Sequence, residues 1–172
     1  NSTITGWCAY ASTIESVTYT KCTLNKGNSI GQHFYNKNVT FNECTFGNDF
    51  KIVLTGSNKN VAFTDADMTM EDVKALMYME SYITSHTITL NNAQVTYAVS
   101  AQGKLYNTLQ AAIDALPVGG TATYWLNLKS DNVLTEGVVV PAGVKATISL
   151  NGYNIIGTPA EAKAYAVITN KG

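Results

Sequence analysis

The most constraining feature of this sequence is a motif written twice at a fixed distance: "NKNVTF" (36–41) returns 22 residues later as "NKNVAF" (58–63). Aligned by that step, "SVTYTKCTL" (16–24), "NVTFNECTF" (38–46) and "NVAFTDADM" (60–68) share four apolar columns. They are Val17/Val39/Val61, Tyr19/Phe41/Phe63, Cys22/Cys44/Ala66 and Leu24/Phe46/Met68. Apolar residues within a row fall at i, i+2, i+5 and i+7. That is neither a helical period nor one unbroken alternation. It describes two short strands, each of period 2, joined by one extra residue that turns a corner. Two further copies fit the template, "TITLNNAQV" (87–95) and "TISLNGYNI" (147–155). A column on another face, Cys8/Ile30/Ile52, keeps the same step.

A fixed period of this length is the signature of a solenoid, in which each repeat forms one coil and equivalent residues stack. The expected fold is mainly β, a right-handed parallel β-helix with about 22 residues per coil and two short capping helices. Inward columns become apolar ladders between strands ~4.8 Å apart. Asn36/Asn58 and Asn38/Asn60 are expected to stack at a corner, where Asn tolerates unusual backbone angles.

Composition agrees with extended structure. Charged residues are 13% of the 172 and apolar residues 45%, so polarity comes from Thr, Asn and Ser. Net charge is −1, and none of the 11 cationic side chains is an Arg. Nucleic-acid binding, which needs clustered Lys and Arg, is therefore disfavoured. No apolar run is long enough to insert into a bilayer. The opening "NSTITG" already reads as strand and the closing "VITNKG" stops mid-pattern. Both ends are expected to lie within a longer polypeptide, and no signal peptide is present.

Two segments carry a helical period. Residues 69–83, "TMEDVKALMYMESYI", place Val73, Leu76, Met77 and Ile83 near one face, with Thr69 and Asp72 as a capping-box pair. Residues 107–116, "NTLQAAIDAL", repeat that relation with Asn107 and Gln110 and carry the stripe Leu109, Ala112, Ile113 and Leu116. Pro117 and the pair Gly119-Gly120 end this helix.

With these elements placed, the rows resemble coils of the pectate-lyase-like right-handed parallel β-helix. The segment from "GKLYNTLQAAIDALPVGG" to "VVVPAGVKATISLNGYNI" resembles the opening of β-helix modules in large surface proteins of gut and host-associated bacteria, Firmicutes above all. The resemblance implies a plug helix at 107–116 that closes the β-helix mouth. It also implies a secreted or cell-wall-attached, extracellular location. The order of parts reads as terminal coils (1–97, with a helical insertion at 69–83) followed by the opening of a second module (98–172, with the plug helix). The alternative is one β-helix interrupted by helices.

Candidate chemistry is sparse. Cys22 and Cys44 lie one coil apart with parallel side chains, which suits a stack of free thiols better than a bridge. No C-x-x-C supports zinc or redox chemistry, and His33 and His86 are expected at the surface or at coil edges. The outward columns are Lys21/Glu43/Asp65 and Thr23/Thr45/Asp67. Glu43 is expected to pair with Lys21, leaving Asp65 and Asp67 as candidate ligands for a sugar or for calcium. No other cofactor is expected. Tyr124 and Trp125 are adjacent in a strand, so one must face out and could form a binding patch.

Lyase chemistry in the resembled family uses an Arg or Lys near acidic calcium ligands. Arg is absent here, and no Lys shares a column with a carboxylate pair. The expectation is a non-enzymatic, adhesin-like segment that binds a host glycan or secreted protein, with self-association through the β-helix ends as a further partner mode. The alternatives are a fragment of a polysaccharide lyase or glycosidase, and a spacer without a ligand.

Overall fold

The structure, a computed structural model, describes residues 1–6, 14–28, 30–80, 85–159 and 166–172. Cys8, Tyr10 and Ile83 lie outside them. Among the described residues 45% are strand and 8% helix, in stacked parallel coils about 22 residues apart. The chain divides into two compact units, Asn1–Thr96 and Tyr97–Gly172.

The first unit is a three-faced β-solenoid. One face stacks Ser16–Thr20, Asn38–Asn42, Asn60–Thr64 and Thr87–Leu90 in parallel. Its register aligns Val17, Val39, Val61 and Ile88, and likewise Tyr19, Phe41, Phe63 and Leu90. The repeat columns are thus physical ladders. Tyr19 stacks on Phe41 at 5.6 Å and Phe41 on Phe63 at 5.3 Å, while Phe34 meets Phe41 edge-on at 5.6 Å. Such ring pairs add ~0.5–1.5 kcal/mol each beyond their buried area.

The extra residue of each repeat is the corner. Lys21, Glu43 and Asp65 all hold the left-handed conformation, with φ of 54°, 49° and 50°. The chain then enters a second face, Ser2–Thr5, Cys22–Asn25 and Thr45–Phe46. On the third face are Gly31–Phe34, Lys51–Leu54 and Met77–Met79.

That third face overturns one expectation. Ile52 pairs with Gln32 and Met77, not with Ile30. Ile30 is 48% exposed, whereas Ile52 is fully buried. The path from Leu24 to Gln32 is two residues longer than that from Phe46 to Ile52. The following path, Phe34 to Asn38 against Leu54 to Asn60, is two residues shorter. The two differences cancel, so the 22-residue period survives while one face slips within it. The approach there is close: a Cβ added at Gly31 would overlap the Lys51 carbonyl.

The corner asparagines do stack. Asn36 and Asn58 are buried, and each donates its amide across the coils, to Ile14 O at 2.6 Å and to Asn36 O at 2.7 Å. Asn60 donates to Asn38 Oδ1 at 2.6 Å, and Asn38 to Ser16 Oγ at 3.1 Å.

Two elements close the unit. The first helix is Met70–Leu76, shorter than the segment 69–83, and Met77–Met79 returns to strand. The alternating pattern Met77, Tyr78, Met79 fits a strand as well as a helix, and pairing with Ile52–Leu54 decides it. The Thr69–Asp72 capping box is present. This helix follows residues 66–69, where the 22-residue step would place the next strand of the second face and no strand forms. The fourth copy begins as expected, but its second half, Ala93–Gln94, folds back antiparallel on Thr89 and Leu90. Asn91 and Asn92, with φ of 48° and 67°, make this tight reversal. Ala93 is consequently exposed, while Val95 is buried.

The second unit opens with a hairpin. Val99–Ala101 and Lys104–Tyr106 pair antiparallel, turning at Gln102 (φ 50°) and Gly103 (φ 79°). Val99–Ala101 also pairs antiparallel with Tyr124–Leu128, which starts the parallel stacking by pairing with Ala146–Ser149. Asn132–Leu134 pairs with Ile155–Gly157, and Val138–Val140 with Ile168–Asn170. The second helix, Leu109–Asp114, is shorter than the segment 107–116; it buries Leu109, Ala112 and Ile113, and Leu116 just beyond it is buried as well.

Its N-cap is Thr108, not Asn107: the Thr108 hydroxyl accepts from Ala111 N at 3.1 Å. Gln110 is thereby freed from a capping role. Its Oε1 accepts from Val139 N at 2.7 Å and its Nε2 donates to Val139 O at 3.0 Å. One amide side chain thus imitates a neighbouring strand along the edge of Val138–Val140.

Candidate functional site

Tyr124 and Trp125 occupy successive positions of Tyr124–Leu128, and strand alternation sends them to opposite faces. Tyr124 packs against the core around Leu126 and Ile113. Trp125 projects outward beside Thr147, its register partner, and is 59% exposed. The core needs no indole there, since Leu126 and Leu128 already fill the inward positions.

Asp65 and Asp67 have different surroundings. Asp65 sits in the left-handed corner, where Asn42 Nδ2 donates to it at 2.8 Å. Asp67, past the turn, lines a groove of about 470 Å³ between Thr45–Phe46 and the first helix. Asp49, Lys51 and Asp72 supply the groove's other charges. Three of these four have partners. Asp49 lies 3.7 Å from Lys26, and Lys51 Nζ donates to the Ala75 carbonyl. Asp72 Oδ2 accepts from Thr69 Oγ1 at 2.7 Å and Thr69 N at 2.8 Å. Those hydrogen bonds, the side-chain one first, hold its carboxyl below the usual range.

Asp67 alone of the four makes no hydrogen bond or ion pair among the described residues. A single uncommitted carboxylate makes neither a general acid–base pair nor a calcium cage. Among the described residues, no three His, Cys, Asp or Glu side chains are grouped to hold a metal ion. Asp49 and Lys51 line the groove together with Asp67, a grouping that spacing within the repeat does not reveal.

Lys21 and Glu43 form the expected exposed ion pair at 3.4 Å. His33 is half-buried, 3.7 Å from Glu80. His86 is buried immediately before Thr87–Leu90. In the second unit, burial pushes the Tyr106 hydroxyl up and the Lys129 ammonium down from their ordinary pKa values. No helix among the described residues is long and apolar enough to cross a membrane.

The chain is, by its fold, a parallel β-solenoid. Comparison with protein-family models, with curated proteins and with solved structures finds no match.

Proposed function

We propose that the chain is a non-enzymatic, adhesin-like recognition segment of a bacterial surface protein, secreted or attached to the cell wall, and that it binds a host glycan. The observation that carries this reading is Trp125, an indole 59% exposed on a flat strand surface where packing does not require it. Exposed aromatic rings offer an apolar platform with a polar edge, suited to the CH-rich face of a sugar ring. The likeness of the coils to β-helix modules of gut-bacterial surface proteins supports the same reading. A glycan array probed with the wild type and Trp125→Ala tests it. Binding that falls by roughly tenfold or more in the variant supports the site. Full retention moves recognition elsewhere, to another face or to a protein ligand. A folded chain that binds nothing is a spacer.

A second reading, a fragment of a polysaccharide lyase or glycosidase with calcium as its cofactor, would use the groove beside the first helix, although its one uncommitted carboxylate completes neither kind of site. Asp67 would be its one available carboxylate, so a partner group would have to come from outside the described residues. Release of oligosaccharides from pectin or mucin glycans, abolished by Asp67→Asn, would establish it.

A further inference from the structure

Cys22 and Cys44 are free thiols that the reading above leaves unused. The register Thr23↔Thr45 and Leu24↔Phe46, carried back one residue, sets Cys22 beside Cys44 on consecutive coils. Cys44 Sγ lies 3.4 Å from the carbonyl of Tyr19, on the coil that carries Cys22. Each sulfur also lies 3.4 Å from the carbonyl two residues before it, Cys22 from Thr20 and Cys44 from Asn42. Cys44 lines the groove beside the first helix, which gives the pair a route to solvent.

The spacing selects what such a pair can hold. Side chains at equivalent positions of neighbouring parallel strands run parallel, ~4.8 Å apart. A disulfide requires its sulfurs at ~2.05 Å, with the two Cβ atoms drawn inward. Twice a metal–thiolate bond of ~2.3 Å comes close to the coil spacing itself. Zinc asks for four ligands, and no third His, Cys, Asp or Glu joins the pair among the described residues. Thiolate pairs favour soft ions such as Cu(I).

We propose that Cys22 and Cys44 form a two-coordinate site for Cu(I), held between thiolates on consecutive coils. On binding, two S–H bonds break, two S–Cu bonds form and both protons leave to solvent, with no change of oxidation state. The bis-thiolate carries one negative charge, which the partial exposure of Cys22 leaves open to hydration.

The test uses the whole chain carrying Cys8→Ser, so that this pair alone remains. Cu(I) is titrated anaerobically against a chromogenic Cu(I) chelator. The expected result is one ion per chain on a monomer, with affinity lower by roughly 100-fold or more once either thiol is removed, as for any paired donor set. Cys22→Ser is the decisive variant, since its half-exposed position tolerates the change even if Cys44→Ser fails to fold. Three results overturn the site: one ion shared by two chains, binding unchanged in Cys22→Ser, or a mass two daltons low before metal is added, the mark of an existing disulfide.

Discussion

Asn58 hydrogen-bonds between coils and within its own corner at once: Nδ2 donates to Asn36 O at 2.7 Å, while Oδ1 accepts from Thr55 N at 2.6 Å. The residue is fully buried, so water cannot replace either bond. Asn58→Ala would orphan a carbonyl and an amide together, at a cost of about 2–4 kcal/mol. The urea midpoint should fall accordingly with its slope unchanged. Asn60→Ala, on the exposed side of the same corner, should cost less than half as much.

The two faces of one strand give a sharper contrast. Leu126 is fully buried and Trp125 mostly exposed. Leu126→Ala is expected to destabilise by about 2–5 kcal/mol. Trp125→Ala should stay within about 0.5 kcal/mol. Thermal unfolding of both variants checks the assignment, and an equal loss in both would contradict it.

Gln110 serves both backbone groups of Val139. Gln110→Ala removes both bonds and is expected to cost about 1–3 kcal/mol. Amide hydrogen exchange at Val139 should accelerate before that of its neighbours. Gln110→Glu keeps an acceptor but loses the donor, and sets a carboxylate near Asp114, to which Gln110 Nε2 now donates at 2.7 Å. It should be no more stable than the alanine variant.

Gln102 carries a side chain at φ 50° in an exposed hairpin turn. Left-handed backbone costs a non-glycine residue ~1–2 kcal/mol, and the extra entropy of glycine offsets about half of that. Gln102→Gly should therefore stabilise the second unit by about 0.5–1 kcal/mol, whereas Gln102→Val should destabilise it. Unfolding by denaturant distinguishes the signs.

The carboxyl of Asp72 titrates below the ordinary aspartate value in the folded chain because Thr69 hydrogen-bonds to its charged form. Its contribution is therefore fully present above the unfolded value and is lost as pH falls through the lower folded one. The stability gap between wild type and Asp72→Asn should be constant above about pH 5 and close progressively below about pH 4. A gap that widens in acid would mean the linkage runs the other way.

Much of the fold was legible because inward columns must be apolar at a fixed step, and strand pairing turns that step into register. Two things hid the rest. On the third face, insertions and deletions of equal size left the period intact, so Ile30 seemed to belong with Ile52. At the closing edge, Ala93 and Val95 kept the repeat's offsets, although Asn91-Asn92 had already reversed the chain. Adjacency showed that one of Tyr124 and Trp125 faces out, since strand neighbours cannot share a face, but not which of the two. The spacing of Asp65 and Asp67 carries less information: two residues share a face only where the backbone runs straight, and Asp65 holds the left-handed corner.

The reversal at Asn91-Asn92 also acts as a ruler. Beyond Thr87–Leu90 the next strand on that face is two residues long and runs the opposite way, which leaves a foreign chain little parallel edge to copy. Templated, amyloid-like growth from that edge is blocked by the strand that finishes the fold. Each coil adds ~4.8 Å of height, so moving the asparagine pair by one repeat would lengthen or shorten the stack by that increment. The height of the first unit's stack on that face is thus set by where two residues stand.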